Sequence, residues 1–168
     1  MRSQTQNDQL KLRPVTVSDE PLLLEIYAST RAEEMALVPW TDEQRQAFLK
    51  MQFDAQQNYY QQKYPTANHH IIYLNDTAVG RMYVARLEDE IRIVDITLLP
   101  RHRGNGAGTH LITGLMEEAT TRRRPLQIYV ETFNPSLKLF KRLGFTQSAQ
   151  QGMHLLMQWL PGAPRLSD

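Results

Sequence analysis

The sequence predicts a mixed α/β fold of the α+β kind, with about four helices flanking a mostly antiparallel central sheet of six to seven strands. Two observations lead to this prediction. Three strand-like runs between residues 70 and 98 are joined by turns too short for a parallel crossover, so they must form an antiparallel meander. After residue 98 the chain alternates helical and strand-like patterns, which is typical of strands packed against helices.

Length and charge indicate an ordinary globular domain. The chain has 168 residues, 41% of them hydrophobic and 22% charged, which corresponds to about one domain. The formal net charge is only +1, which argues against nucleic acid or an anionic membrane as partner. We expect one domain over residues 10–160, with a disordered tail at residues 1–9 and a flexible tail at residues 161–168.

The chain contains no cysteine, which excludes disulfides, thiolate nucleophiles and cysteine-ligated metal sites. No apolar run approaches the roughly 20 residues that span a bilayer, and the polar start of the chain carries no apolar signal core. We therefore expect a soluble protein, located in the cytoplasm.

The first third of the chain predicts a strand and two helices. Leu10–Val17 is strand-like, and Ser18 and Asp19 are suitable caps for a helix whose apolar face is formed by Leu22, Leu23, Ile26 and Tyr27. The capping-box pattern Thr41–Gln44 opens a second helix, which ends before Tyr64 and Pro65.

The rest of the chain predicts six strands and two helices. The predicted strands are His70–Leu74, Ala78–Arg86, Ile91–Leu98, Leu126–Glu131, Thr146–Ala149 and His154–Leu160. The predicted helices contain Leu111, Ile112, Leu115, Met116 and Ala119, and Pro135–Leu143.

A glycine-rich loop between a strand and a helix is the most informative local feature. Arg103–Gly108 contains three glycines, and Arg101 and Arg103 add positive charge at its edge. Glycines allow a close backbone approach, and the helix N-terminus adds partial positive charge, so the loop can bind an anion. A tight turn that only caps the helix is the alternative.

Two common phosphate-binding motifs do not fit this loop. A P-loop requires lysine after its last glycine, whereas Gly108 is followed by Thr109 and His110. A dinucleotide fingerprint requires a third glycine where Leu111 stands, and a βαβ start in place of an antiparallel meander. Both nucleotide-binding interpretations are therefore excluded.

The remaining pattern, Arg-x-x-Gly-x-Gly, is formed by Arg103, Gly106 and Gly108. It resembles the motif that cradles the coenzyme A pyrophosphate in the GNAT superfamily of acetyl-CoA-dependent N-acetyltransferases. The segment Val130–Phe145 is similar to a second family motif, a strand, an asparagine (Asn134) and a helix that ends in Gly-Phe. With the matching order of elements, the resemblance covers roughly residues 10–160 and implies a GNAT-type sheet.

The resemblance implies a set of coenzyme A contacts. The pantetheine arm would enter between the strands Ile91–Leu98 and Leu126–Glu131, bonded by backbone groups of Leu98 and Leu99. The backbone N–H of Leu98 would also stabilise the oxyanion. Further cofactor contacts are implied for Arg103, Gly104, Asn105, Gly106, Ala107, Gly108, Thr109, Asn134, Phe140 and Lys141.

The general base is left open between two carboxylates. An alkylamine is almost wholly protonated at neutral pH, so a base or a water chain is expected, and Asp95 and Glu131 are the acidic candidates on the central strands. A structural hydrogen bond is the alternative role for each. Phe140 stands where many family members carry the tyrosine that protonates the leaving thiolate. A thiolate can also leave without that acid, or take its proton from water or the product ammonium.

The acceptor region is predicted from composition and from the resemblance. Glu33, Glu34 and Trp40 together could bind a cationic amine, and an exposed acidic helix end beside a packed tryptophan is the alternative. Tyr59, Tyr60 and Tyr64 could line the acceptor cleft or belong to ordinary helix packing.

We expect direct acetyl transfer from acetyl-CoA to a primary amine of a small molecule or peptide, through a tetrahedral intermediate. The alternatives are a non-catalytic acyl-CoA-binding sensor or interaction module, suggested by Phe140, and an RNA-binding domain using Arg122–Arg124. No metal site is predicted, because His69 and His70 point to opposite faces of a strand and the other histidines lack ligand spacing. A homodimer is left open.

Overall fold

The computed structural model describes residues 9–162, which form one seven-stranded sheet with helices on both faces. The predicted tails, residues 1–9 and 161–168, lie almost entirely outside these residues. The strands are β1 (Leu10–Pro14), β2 (Asn68–Leu74), β3 (Thr77–Arg86), β4 (Ile91–Leu98), β5 (Leu126–Glu131), β6 (Thr146–Gln151) and β7 (His154–Trp159). The helices are α1 (Glu20–Thr30), α2 (Ala32–Ala36), α3 (Asp42–Lys63), α4 (Ala107–Arg122) and α5 (Ser136–Arg142).

The strand order is β1-β2-β3-β4-β5-β7-β6. The predicted meander is confirmed, because β2, β3 and β4 pair antiparallel through short turns. Within the described residues, β4 and β5 form the parallel pair, which α4 joins as a crossover. β7 lies between β5 and β6, an order that the sequence pattern did not specify. The mixed, mostly antiparallel fold class is thus confirmed.

Local sequence signals place the helices well, with one omission. The Thr41 hydroxyl accepts from the Gln44 N–H at 3.1 Å, and the Gln44 side chain accepts from the Thr41 N–H at 2.9 Å, so the predicted capping box opens α3. The short helix α2 was not predicted, because its five residues bury no apolar face. None of the helices within residues 9–162 is long and apolar enough to cross a bilayer.

The two faces of the sheet are packed differently. The face covered by α4 and α5 holds the larger core, which includes Ile93, Ile112, Phe140 and Met157. The face covered by α1 and α3 holds a smaller apolar cluster of Leu23, Tyr27, Phe53 and Ile71. This second face also carries the buried polar side chain of Arg81. The candidate cleft is lined by residues from both faces, such as Arg81 and Phe140.

Candidate active site

The sheet opens between β4 and β5. Their parallel pairing consists of Ile91 with Leu126, Arg92 with Gln127 and Ile93 with Ile128, although β4 continues to Leu98 and β5 to Glu131. The opening begins beside a β-bulge, since Ile93 lies opposite Val84 and Asp95 opposite Tyr83, which leaves Val94 as the extra residue. A bulge bends the strand that carries it, so β4 turns away from β5 here.

The register decides which backbone groups of β4 face this opening. The Leu99 N–H donates to the Val79 carbonyl oxygen at 2.8 Å, which makes Leu98 and Gly80 a non-hydrogen-bonded pair. Because the ladder alternates, the N–H and C=O groups of Leu98 and Ile96 point away from β3 and toward the opening. The sequence analysis missed Ile96, although the two-residue period of a strand places it in line with Leu98.

Leu99 differs from its prediction. Its N–H is bonded to Val79, and its carbonyl oxygen accepts from the His102 N–H at 2.9 Å, at the start of the 3-10 turn Pro100–His102. The residue is only 2% exposed. Leu99 therefore offers no backbone group for the predicted pantetheine contact, because the chain has already turned out of the strand.

The glycine loop forms an anion cradle at the start of α4. Gly104 and Gly106 have φ angles of 81° and 84°, a region that favours glycine. The first helical hydrogen bond runs from the His110 N–H to the Gly106 carbonyl at 2.9 Å. The N–H groups of Ala107, Gly108 and Thr109 consequently have no intrahelical partner, and the helix dipole adds positive potential.

The space around Gly108 is consistent with a site for a bound phosphate group. A Cβ at this position would lie 3.8 Å from a Leu98 methyl and 4.0 Å from a Leu139 methyl, which are ordinary contacts. The protein itself therefore leaves room for a side chain at Gly108. Close approach of a phosphate group to the helix N-terminus explains the glycine.

The predicted loop residues do not all face the same way. Arg103, Gly104, Gly106, Gly108 and Thr109 line a cleft of about 1160 Å³, whereas Asn105 and Ala107 do not. The Arg103 Nε donates to the Leu98 carbonyl at 2.9 Å and so lies across the mouth of the opening.

On α5, the structure modifies the predicted contacts. Asn134 lines the cleft, and its Oδ1 accepts from the N–H of Ser136, the first residue of α5, at 2.9 Å. Phe140 borders the cleft but is 2% exposed and packs edge-on against Phe145, with ring centroids 5.1 Å apart. Lys141 is exposed and lies outside the cleft lining, whereas its neighbour Arg142 lines it. Neighbours on a helix point about 100° apart, which explains the difference.

The predicted acceptor group is only partly brought together. Glu33 and Glu34 on α2 line the cleft, as do Tyr59, Tyr60 and Tyr64 on and just after α3. Trp40 is not part of this lining, and it packs against Phe48 with ring centroids 5.1 Å apart. Apolar packing, the alternative role in the sequence analysis, accounts for this tryptophan.

Asp95, the first candidate base, is held by a buried arginine. The Arg81 side chain is 2% exposed, and its Nε donates to Asp95 Oδ2 at 2.6 Å. Its Nη atoms donate to the side-chain oxygens of Gln57 at 2.9 Å and Gln56 at 2.8 Å, which ties β3 and β4 to α3. The Thr97 hydroxyl also donates to the carboxylate at 3.1 Å.

Glu131, the second candidate base, has a looser partner. Its Oε2 lies 3.5 Å from the Arg31 Nη1, and both side chains are 23% exposed. The same Nη1 lies 3.2 Å from Glu34 Oε1, so Arg31 bridges α2 and the end of β5. Arg31 lines the cleft and was missed by the sequence analysis, because its partner Glu131 is a hundred residues away along the chain.

His69 lies close to this polar network but is not among the residues that line the cleft. It stacks on Tyr83 with ring centroids 4.2 Å apart, and its Nε2 is buried without a hydrogen-bond partner among the described residues. Burial, aided by the charge of Arg81, lowers the pKa of His69 to about 4. No group of three or more metal-binding side chains occurs within residues 9–162.

The arginine run at the end of α4 is largely used within the protein. Arg122 pairs with Glu118 at 3.2 Å, and Arg124 donates to the Leu87 carbonyl at 2.6 Å. Arg123 adopts a left-handed backbone conformation as the helix C-cap. Intramolecular bonding therefore accounts for two of these three charges without a nucleic-acid partner.

Comparison with known proteins agrees with this geometry. The acetyltransferase (GNAT) family model matches residues 28–145. No curated protein sequence matches the chain significantly.

Similar solved structures include the PaiA N-acetyltransferase of Thermoplasma acidophilum in complex with coenzyme A (13% identity, TM-score 0.68, covering 90% of this chain and 98% of that one). An acetyltransferase of Thermus thermophilus is 20% identical, with a TM-score of 0.63 and coverage of 90% and 97%. A GNAT family acetyltransferase of Elizabethkingia anophelis with acetyl-CoA bound is 13% identical, with a TM-score of 0.59 and coverage of 91% and 99%. These likenesses establish the fold, and together with the family match they show that the chain belongs to the GNAT family of acetyltransferases.

Proposed function

We propose that the protein transfers an acetyl group from acetyl-CoA directly to a primary amine through a tetrahedral intermediate. Membership of the acetyltransferase family makes it an acyltransferase. The observation that carries the proposal is the opening between β4 and β5, where free backbone groups of β4 lie beside the anion cradle at the start of α4.

The anion cradle and the opening suit the two ends of acetyl-CoA. The N–H groups of Gly108 and Thr109, which line the cleft, would hold the pyrophosphate, and the pantetheine arm would run along the free edge of β4. Arg103 would then exchange its bond with the Leu98 carbonyl for a phosphate, which leaves that carbonyl available to an amide of the arm.

The oxyanion donors follow from the same register. Leu98 remains the predicted contact, and Ile96 presents a second N–H two residues deeper in the opening. Fixed N–H groups stabilise the negative charge that develops on the thioester oxygen and need no reorganisation as it forms. An arm that starts at the glycine loop reaches Leu98 first and Ile96 second, so Ile96 is a candidate for the donor beside the reacting carbonyl.

We assign the general base to Glu131. Both carboxylates line the cleft and are about equally exposed, at 24% for Asp95 and 23% for Glu131. The Asp95 carboxylate already accepts bonds from Arg81 at 2.6 Å and Thr97 at 3.1 Å, whereas Glu131 makes one long contact to Arg31. Glu131 would take a proton from the acceptor ammonium, directly or through water. The neutral nitrogen then attacks the thioester carbon, a C–N bond forms, and the C–S bond breaks as coenzyme A thiolate leaves.

Because Phe140 has no hydroxyl, it cannot donate a proton to the leaving thiolate. A thiol has a pKa of about 8.5, so the thiolate is a tolerable leaving group and can take its proton from water or from the product ammonium. The apolar contact with Phe145 fits a role in packing for Phe140. The proposal therefore needs no tyrosine at this position.

Titration calorimetry with acetyl-CoA and coenzyme A, followed by a free-thiol assay over a panel of amines, tests the proposal. We expect binding of both ligands and amine-dependent thiol release. Absence of binding would refute acetyl-CoA use by this cleft. Binding without thiol release over a broad panel would instead favour the acyl-CoA sensor considered from the sequence.

A matched pair of glycine variants locates the binding site. Gly108→Val places a branched side chain where the phosphate is expected, whereas Gly114→Val makes the same change at an exposed position of α4 with open space around it. Both variants carry a similar cost in helix propensity. We expect the first to lose at least about tenfold in coenzyme A affinity and the second to retain it. Equal affinities would place the ligand elsewhere.

A further inference from the structure

We propose that the acceptor carries an anionic group, a carboxylate or a phosphate, in addition to its reactive amine. This inference rests on the proposed function and names the substrate class of the same cleft. The anion would bind to a basic wall, which we define as Tyr59, Lys63, Tyr64, Arg92 and Tyr129. All five residues line the cleft.

Lys63 gives this wall an uncompensated charge. Its Nζ donates to the Tyr59 hydroxyl at 3.0 Å and lies 5.5 Å and 5.7 Å from the ring centroids of Tyr59 and Tyr64. Within residues 9–162 it takes part in no ion pair with a carboxylate. The bond with Tyr59 raises the pKa of Lys63, despite desolvation and the opposing charge of Arg92, so the ammonium is charged at neutral pH.

Arg92 adds a second cation on the other side of Tyr64. Its Nε pairs with Glu90 at 2.7 Å, its Nη1 lies 3.4 Å from the Tyr64 hydroxyl, and its guanidinium lies 5.2 Å from the Tyr129 ring centroid. The other oxygen of Glu90 accepts from Gln127 at 3.2 Å. Glu90 thus compensates Arg92, and Lys63 leaves the wall with one net positive charge.

The tyrosine rings of the wall hold its two cations in place. Each cation lies over an aromatic face, which restrains a long side chain and partly desolvates it. The Tyr64 ring is shared, since Lys63 contacts its face and Arg92 contacts its hydroxyl. A carboxylate or phosphate in the cleft could therefore accept from Lys63 and from nearby hydroxyls without having to order them first.

The wall lies on the same sheet face as the carboxylates, at the other end of the opening. Arg92 pairs with Gln127 just before the strands separate, whereas Glu131 lies four residues further along β5, or about 13 Å at ~3.3 Å per residue. Glu33 and Glu34 join Glu131 at the acidic end. A cleft with negative charge at one end and positive charge at the other fits an acceptor that carries both.

This arrangement distinguishes the acceptor from a simple amine or a diamine. A second ammonium would meet the charge of Lys63 and be repelled, and an alkyl chain would gain nothing from it. An amine with a carboxylate or a phosphate would gain a charge-assisted contact at each end of the cleft.

Matched amines test the inference in the free-thiol assay. We compare 6-aminohexanoate with 1-aminohexane and 1,6-diaminohexane, and 6-aminohexyl phosphate with 6-aminohexan-1-ol, and the two series separate a carboxylate from a phosphate. We expect the member with the anionic group in at least one series to exceed its counterparts without that group by about 10-fold to 100-fold in kcat/KM. Equal values in both series, or a preference for the diamine, would overturn the inference.

Two lysine variants assign the effect to the wall. Lys63→Met should remove the preference by raising KM for the anionic amine, with kcat and coenzyme A affinity unchanged. Lys11→Met, at an exposed position of β1, is the control and should retain the preference. A preference that survives Lys63→Met would overturn the assignment.

A binding experiment separates failure of this inference from failure of the proposed function. If no amine releases thiol, the proposed transfer is wrong. Titration of 6-aminohexanoate, 6-aminohexyl phosphate and their counterparts without the anionic group into the protein with coenzyme A still tests the wall. Tighter binding of an anionic amine by the natural protein, lost in Lys63→Met, would support the inference. Equal binding would refute it.

Discussion

Two carboxylates flank the opening of the sheet, and their environments differ in kind. Asp95 on β4 is bonded at 2.6 Å to a guanidinium that is 2% exposed, and Glu131 on β5 lies 3.5 Å from one that is 23% exposed. A buried charge is tolerated only when its hydrogen bonds are satisfied, and Arg81 satisfies its own with Asp95 and two glutamines. The Arg31–Glu131 pair is more exposed, so Glu131 can exchange its contact with Arg31 for one with a substrate or with water. The comparison supports the proposal that Asp95 has a structural role and Glu131 a chemical one.

Removing Arg81 should have the largest effect on stability. Arg81→Met leaves Asp95, Gln56 and Gln57 without their shared donor, and we expect a loss of about 3 kcal/mol in the free energy of unfolding, measured by urea denaturation. The double variant Arg81→Met with Asp95→Leu should recover much of the loss, because it removes the unpaired charge. A loss under about 1 kcal/mol in the single variant would contradict a structural role for the pair.

Glu131→Gln should have the largest effect on catalysis. We expect kcat to fall about 100-fold, with the free energy of unfolding changed by less than about 1 kcal/mol. The defect should shrink as the pH approaches the pKa of the amine, near 10, because the acceptor then loses its proton without help. The pH profile of kcat measures this.

Asp95→Asn is the matched control for that variant, and it should lower stability more than Glu131→Gln does. If Asp95→Asn instead gave the pH-dependent loss of turnover and Glu131→Gln did not, the assigned roles would have to be exchanged.

Phe140→Tyr should change stability slightly and turnover hardly at all. The new hydroxyl would enter a site that is 2% exposed and packed against Phe145, at a cost of about 1 kcal/mol. Because the thiolate leaves without a side-chain acid, kcat in the free-thiol assay should stay within about twofold. A large gain in turnover would show that protonation of the leaving group limits the natural protein.

His69, whose pKa is lowered by burial and also by the charge of Arg81, should contribute to the acid sensitivity of the fold. Its pKa is lowered to about 4 in the folded protein, chiefly by burial, from about 6.5 in the unfolded chain. The unfolded state therefore binds more protons between these values, and stability should fall as the pH drops from about 6.5 to 4. Its slope cannot exceed ~1.4 kcal/mol per pH unit, because one imidazole binds at most one proton. Urea titrations of the natural protein and His69→Phe should show a flatter dependence in the variant; equal slopes would contradict this role.

Much of the fold could be predicted because its signals are local. The capping box of α3, the short turns of the meander and the glycines before α4 each determine the conformation of a few neighbouring residues. The short helix α2 and the place of β7 between β5 and β6 could not be predicted in this way. α2 buries no apolar face, and strand order depends on packing between distant segments.

In the candidate site, too, local sequence signals placed some residues, whereas packing between distant segments decided the others. Residues of the predicted glycine loop, Asn134 and both carboxylates line the cleft. The register of β4 directs the backbone groups of Ile96 toward the opening and bonds those of Leu99 within the protein. Trp40 was grouped with Glu33 because they are neighbours in the chain, but its ring contacts Phe48.

By itself the sequence determined the fold class and the motif that identifies the family, since both depend on local patterns of apolar residues, glycines and charge. Only the tertiary structure decided how each carboxylate is paired, because Arg81 and Arg31 reach their partners from other segments of the chain. It also brought Lys63 and Arg92 together around Tyr64. Charges act through space, and the distances between them are set when the helices pack on the sheet.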